Sequence, residues 1–286
     1  MRLVYNFRFY SMMEKIRKVA ITIPYYKKEL TETEQESLKA CMNTLGSYDI
    51  FIISPISLDT SKICKQYPQL KVKTFKDDYF NSLRGYNKLM LCEDFYAKFT
   101  NYSYILIYQL DAFVFKDELL LWANKDYDYI GAPWIHASKY SNSKGETMKC
   151  KLKRSWYRLT NNKKRLRKYC WGGVGNGGFS LRKVSKMLQI THAYRDKIAE
   201  HLDDNQPFYA EDLWLSLELK HKDRLKKPSF KEALSFSIEM MPEKAYQWNN
   251  NTLPFGCHAF DRNPYKKFWS AFINCLNAEK PIRAIN

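Results

Sequence analysis

The stretch Tyr104-Ile-Leu-Ile-Tyr-Gln-Leu-Asp-Ala-Phe-Val-Phe115 decides the fold. Its nearly unbroken apolar run has strand length and reads as a strand buried on both faces, as in parallel sheets. Asp111 closes the run. A carboxylate there is costly to desolvate unless a cation, a proton or hydrogen-bond donors meet it. In open α/β sheets, ligands bind outside the carboxyl ends of the strands. An acid ending a buried strand therefore points to a site for a metal-bound phosphate.

Working outward, strands and helices alternate. Lys18–Pro24, Tyr48–Ser54 and Leu70–Phe75 read as strands. Thr31–Leu45, Leu58–Gln66 and Asn81–Phe99 read as the helices between them, with Thr31 and Glu34 forming an N-terminal capping pair. This order predicts an α/β fold with a mostly parallel sheet and crossover helices. A fifth strand is expected at Tyr127–Ala132, after which the regularity stops. Farther on, Lys183–Gln189 reads as a short helix, Ala210–Ser216 as the start of another, and Ala233–Ile238 as a strand. Pro254–Phe260 reads as a compact loop and Tyr265–Leu276 as an aromatic-rich helix.

The 286 residues, 45% of them hydrophobic and 16% aromatic, suffice for a sizeable core and exclude disorder. Net charge is +17, which attracts nucleic acid, an anionic membrane or phosphorylated substrates without separating them. The seven cysteines (41, 64, 92, 150, 170, 257 and 275) are odd in number and form no C-x-x-C pair. They read as buried thiols of a reducing compartment. No apolar run reaches the roughly 18 residues of a membrane span. Met1–Lys18 lacks the apolar core of a signal peptide. Together these predict a cytoplasmic protein.

Residues 149–168 carry ten Lys or Arg and no acid. This segment is either a solvated loop or a contact to a phosphorylated acceptor or an anionic bilayer. Next comes Trp171-Gly-Gly-Val-Gly-Asn-Gly-Gly-Phe-Ser-Leu-Arg182. Its G-x-G-x-x-G at Gly173, Gly175 and Gly178 follows a basic loop and enters a strand, whereas a dinucleotide fingerprint follows a strand and opens a helix. The glycines read instead as places where backbone approaches a bulky ligand.

Four elements thus occur in order: Gln109-Leu110-Asp111, the glycine turn, Glu211-Asp212 and His258. In this order, with Asp111-Ala-Phe-Val-Phe115, Gly177-Gly-Phe-Ser-Leu-Arg182, Glu211-Asp212, Tyr79-Phe-Asn81 and Tyr86-Asn-Lys-Leu89, the chain resembles GT-A nucleotide-sugar-dependent glycosyltransferases. In layout it is similar to the fringe-like and β1,3-galactosyltransferase families. It also resembles an uncharacterised bacterial polysaccharide-building family with Gln-Leu-Asp at this strand end. The resemblance covers residues 18–262. It implies a single Rossmann-like GT-A domain: an N-terminal extension (1–17), a nucleotide-sugar-binding half (18–132), a basic loop region (133–170), and a smaller acceptor-binding and catalytic half (171–286).

The resemblance also implies roles. Asp111 and His258 would hold Mn²⁺ or Mg²⁺ against the donor's two phosphates, where a divalent ion neutralises the leaving group. Asp212 would be the general base, its pKa raised by the neighbouring carboxylate, and Glu211 would orient acceptor or base. A base opposite the leaving group implies inversion. Pro24, Tyr25, Arg84 and Asn87 would surround the nucleotide, with Gln109 beside the diphosphate. Trp171, Gly177 and Gly178 would shape the sugar pocket. Gln109 replaces the first acid of the usual Asp-x-Asp, which either weakens the metal or leaves its task to Lys or Arg. The expected partners are a nucleotide-diphosphate sugar and a glycan or lipid-linked acceptor, at the inner membrane face if the basic run binds lipid. Three rivals stand beside this reading, one of them a structural or inactive homologue, which the missing first acid keeps open; the other two make different predictions. A nucleic-acid-binding protein needs basic and aromatic residues interleaved on one face. A nucleotidyltransferase needs a Gly-rich loop after the first strand, and Ile23-Pro-Tyr-Tyr-Lys-Lys28 has none.

Overall fold

The structure is a computed structural model that describes residues 18–135, 141–142, 145–146, 148–160, 162, 165, 173–203, 205 and 210–279. Its centre is a six-stranded sheet in the order β3-β2-β1-β4-β9-β6. β1 (Val19–Pro24), β2 (Asp49–Pro55), β3 (Lys71–Phe75) and β4 (Tyr104–Tyr108) are parallel. β9 (Phe179–Lys183) runs antiparallel to β4 and to β6 (Tyr129–Ile130). The fold class expected from the sequence is the one observed.

Strand alternation builds the core on both faces. Ile21, Ile23, Ile52, Leu106 and Tyr108 pack with α1 (Glu32–Leu45) through Leu38, Cys41 and Leu45. Thr31 caps α1: its hydroxyl accepts from the Glu34 amide while the Glu34 carboxylate accepts from the Thr31 amide. α2 (Ser61–Gln66) contributes Ile63 to the same face. Ala20, Phe51, Ile105 and Ile107 pack on the other face against Leu89, Phe95 and Phe99.

The helix expected over Asn81–Phe99 is two helices, α3 (Leu83–Met90) and α4 (Glu93–Ala97). Leu89, Met90, Leu91, Phe95, Tyr96 and Phe99 are all buried. At roughly 100° per residue they would encircle a straight helix, so the chain breaks to bury them together. Cys92, in extended conformation, is the break, and Tyr96 donates to the freed Met90 carbonyl at 2.8 Å.

A second sheet, β10-β11-β5, lies at the carboxyl end of β4. It comprises β5 (Ala112–Val114), β10 (Ser237–Ile238) and β11 (Gly256–His258). The strand expected at Ala233–Ile238 is mostly helix, α10 (Phe230–Phe236), begun by a Ser229 cap that accepts from the Glu232 amide. Buried Phe230, Ala233 and Leu234 follow helical spacing. The loop expected at Pro254–Phe260 contains β11, which pairs antiparallel with β5 so that His258 faces Ala112. Of the segment expected as a strand over Tyr127–Ala132, Tyr129 and Ile130 form the strand that pairs with β9. The remaining helices are α5 (Leu119–Asn124), α6 (Met148–Leu159), α7 (Val184–Ala193), α8 (Arg195–Leu202), α9 (Glu211–Leu217), α11 (Pro242–Trp248) and α12 (Lys266–Glu279). Between β6 and α6 lies the short hairpin of β7 (Ser141–Asn142) and β8 (Gly145–Glu146). No helix among the described residues is long and apolar enough to cross a membrane.

Candidate active site

From β1 the chain winds outward through β2 to β3, then returns to place β4 on β1's other side. The β1/β4 boundary is thus the topological switch point, where open α/β sheets bind ligands. A cavity of about 500 Å³ opens there. Pro24, Tyr25, Gln109 and Asp111 line it, together with Tyr26, Lys27, Ser82 and Leu83. Tyr26 and Leu83 are half or more exposed and offer apolar surface at its rim.

Asp111 follows β4 directly. β9 and β11 bring two further segments to it: the Gln109 amide donates to the Gly178 carbonyl at 2.8 Å, and the Phe260 amide to the Asp111 carbonyl at 3.2 Å. Asp111 Oδ1 lies 3.0 Å from His258 Nε2 and 29% of the Asp111 side chain stays accessible. Yet Oδ1 itself is buried and accepts no hydrogen bond of good geometry. Gln109 Oε1 is 3.3 Å from the same imidazole nitrogen. Behind the ring, Nδ1 is 3.2 Å from Glu239 Oε1. Burial pushes the Asp111 carboxyl up, but the neighbouring His258 and the Arg262 guanidinium, 3.9 Å from Oδ2, hold it below its ordinary value. Burial disfavours the His258 imidazolium, but Asp111 and Glu239 outweigh it and raise the pKa to about 10.

Asp111 and His258 present an oxygen and a nitrogen 3.0 Å apart and would hold a divalent cation once the imidazole gives up its proton. A carboxylate behind a ligating histidine is the usual second layer of such sites. Gln109 offers an amide oxygen as a third donor. Among the described residues no three His, Cys, Asp or Glu are grouped to hold a metal, so that third donor has to be the amide or a ligand oxygen.

Asn176 connects this corner to Asp212. Its amide N–H donates to Asp212 Oδ2 at 3.1 Å, and its Nδ2 lies 3.1 Å from His258 Nδ1. Its φ of 66° is in the left-handed region, which asparagine tolerates better than most residues. Asp212 Oδ1 also accepts from the Leu213 amide at 2.7 Å. Burial, then repulsion from Glu211, and more weakly from Glu239, raise the Asp212 pKa to about 7, with the Leu213 amide and Lys227 opposing.

Glu211 points elsewhere. Its Oε1 pairs with Arg182 Nη2 at 2.7 Å, and both side chains are buried. Arg182 also donates to Tyr96 Oη and Ser180 Oγ, each at 3.0 Å. The Glu211 amide donates to Asn87 Oδ1, so Asn87 caps α9 from within the core instead of facing the cavity. Arg84 donates to the Asp203 carbonyl at 2.6 Å and lies outside the cavity lining. Gly178 is tight against the Asp111–His258 corner: a Cβ there would overlap His258 Nε2 and Gln109 Oε1. At Gly177 a Cβ would overlap Glu211 Oε1. These glycines admit side chains of the site itself, where the sequence predicts room for a bulky ligand. Trp171 lies outside the described residues.

The residues missed from the sequence are Asn176, Glu239 and Arg182. Glu239 follows the two-residue strand Ser237–Ile238, the same signal that marks Asp111. Arg182 shares a strand face with Ser180, a polar pair inside an otherwise buried strand.

The chain is similar in structure to the galactosyltransferase LgtC solved with donor and acceptor sugar analogues, at a TM-score of 0.54 and 10% identity, over 93% of this chain and 98% of that one. It is similar to an active-site mutant of LgtC at a TM-score of 0.51 and 10% identity, with the same coverage. These likenesses establish the GT-A fold. No curated protein matches the sequence. One family matches residues 69–258, a span that contains Asp111 and Asp212 and ends at His258. The chain therefore belongs to that family, described as a protein of unknown function (DUF5672).

Proposed function

We propose that the protein transfers a hexose from a nucleoside-diphosphate donor to a hydroxyl of a saccharide acceptor, with inversion at the sugar carbon. One observation carries this reading: Asp111, His258, Asn176 and Asp212 form a continuous chain of contacts beside the switch-point cavity. The resemblance to LgtC, solved with donor and acceptor sugar analogues, supports it.

In this reading the nucleotide lies in the cavity between Tyr25, Tyr26 and Leu83, with its diphosphate toward Asp111. Asp111, His258 and Gln109 would hold a divalent cation, with Glu239 orienting His258. Bound there, the ion supplies neutralising charge for the diphosphate leaving group. Arg262 beside Asp111 adds positive charge to the same mouth, whereas Lys27 in the cavity wall is already paired with Glu34 at 2.7 Å. Asp212, with a pKa of about 7, accepts the acceptor's proton near neutrality. The two amides that bond its oxygens fix its position. Glu211 serves α9 as the partner of Arg182, which holds Asp212 in place.

The test is calorimetry and thermal shift with UDP, GDP, CDP and dTDP sugars, with and without Mn²⁺. One donor class binds, Asp111→Ala abolishes that binding, and Asp212→Asn keeps it while losing turnover. Binding of no nucleotide sugar under either condition refutes the reading.

A further inference from the structure

α6 turns an apolar face outward. Leu152, Trp156 and Leu159 are 65%, 64% and 83% exposed. Spaced by four and then three residues, they share one side of the helix. Tyr157, on another side, packs with Trp134 and Leu217 and so fixes which face meets the body of the protein. The helix, Met-Lys-Cys-Lys-Leu-Lys-Arg-Ser-Trp-Tyr-Arg-Leu, contains five Lys or Arg and no acid. A surface helix of a globular protein normally buries its apolar stripe. A helix with a basic remainder and an exposed Leu/Trp stripe has the makeup of one that lies in a membrane interface. Its stripe would enter the acyl boundary, its acid-free basic composition suits anionic headgroups, and tryptophan suits the level between them.

Other occupants fit less well. RNA or an acidic protein would account for the charge but not for three large exposed apolar side chains. A second copy of the chain would cover the stripe but bring two acid-free basic helices together.

The helix adjoins the site. Trp134, against which Tyr157 packs, donates its amide to the Gly173 carbonyl at 3.0 Å. Its ring covers Gly175, the residue before Asn176. Leu217 ends the helix that Glu211 and Asp212 begin. We infer that α6 docks the protein on an anionic lipid surface and that the acceptor is a lipid-linked saccharide presented from it. The second half rests on the transfer reading above; the first does not.

The experiment is flotation of the full chain with vesicles of phosphatidylcholine and phosphatidylglycerol, against phosphatidylcholine alone. The parent floats only with the anionic vesicles, and added salt weakens it. The variant Leu152→Ser/Trp156→Ser/Leu159→Ser keeps the parent's melting temperature and loses about a hundredfold in partitioning. Brominated acyl chains quench parent fluorescence, and Trp156→Phe removes most of that quenching. Docking is overturned if the parent does not float, if the triple variant floats like the parent, or if sedimentation finds a dimer that the triple variant breaks. Donor binding is measured separately on the same proteins. Docking without donor binding leaves α6 a lipid anchor and overturns the lipid-linked acceptor, as does equal transfer to soluble and lipid-linked saccharides.

Discussion

Asp111 Oδ1 and His258 Nε2 stand 3.0 Å apart, brought together because β5 and β11 pair directly after the one and up to the other. The carboxylate oxygen is buried without a hydrogen bond of good geometry. With the His258 pKa raised to about 10 the two form a charged pair, so the proposed cation has to displace the imidazolium proton, and the following outcomes test whether it binds here.

Asp111→Asn keeps the shape of the corner and removes its charge. Mn²⁺ binding, read by calorimetry or by the electron paramagnetic signal of the ion, falls by more than tenfold. Glu239→Gln leaves both direct donors in place and weakens the ion by about 10- to 100-fold, the usual cost of losing a partner behind a ligating histidine. Unchanged Mn²⁺ affinity in both variants rules out this corner as the metal site.

Asp212 makes stability and activity depend on pH in opposite ways. Its folded pKa of about 7 lies above the ordinary carboxylate value because burial and Glu211 disfavour the charged form. The protonated form is thus favoured by folding. That contribution is whole below about pH 4 and is lost as pH rises through 7. Asp212→Asn cannot ionise, so its melting temperature relative to the parent climbs between about pH 4 and pH 7 and levels off above. The parent's transfer rate rises as the pH passes about 7, because the base is active only when ionised. A difference in melting temperature that stays flat with pH removes Asp212 as a group of raised pKa. A product of retained anomeric configuration removes it as the base.

Much of this site was legible because strand-end acids are anomalous in an apolar run. Asp111 is conspicuous for that reason, and Asp212 stands out through the acidic pair at a helix start. Asn176 was hidden because a Gly-Asn-Gly turn reads as a turn whatever its side chain touches. β11, with only three residues, was hidden because its pairing is set by contact with β5 and not by its own pattern. Local spacing also could not show that Glu211 faces Arg182: the two carboxylates are neighbours in sequence and diverge in space.

Gly178→Ala and Gly177→Ala separate binding from folding. At Gly178 the added methyl meets the functional ends of His258 and Gln109. These side chains can shift, so the chain folds, with donor and Mn²⁺ binding reduced by about tenfold or more, as a displacement of order 1 Å at a preorganised site costs. At Gly177 the methyl meets Glu211 Oε1 with Arg182 close behind, and that buried pair has little room to move. Urea unfolding there shows a loss of about 1–3 kcal/mol, the range for overpacking a core. Equal stability losses in the two variants, with donor binding intact, show that the glycines serve packing alone.

The Arg182–Glu211 pair provides the sharpest stability contrast. Both side chains are almost wholly buried, at 0% and 5% exposure, and Arg182 is further held by Tyr96 and Ser180. Breaking such a pair on one side leaves a charge stranded in the core. Arg182→Met therefore destabilises the chain by about 3–5 kcal/mol. Arg182→Met combined with Glu211→Leu removes both charges and recovers much of that loss, because a well-packed apolar replacement of a buried ion pair is often close to neutral. If Glu211 instead contacts substrate, Glu211→Gln lowers turnover at unchanged stability and the double variant restores no stability. If its task is to hold α9, the double variant regains stability, and its residual transfer rate follows how far the α9 start, and Asp212 with it, has returned to place.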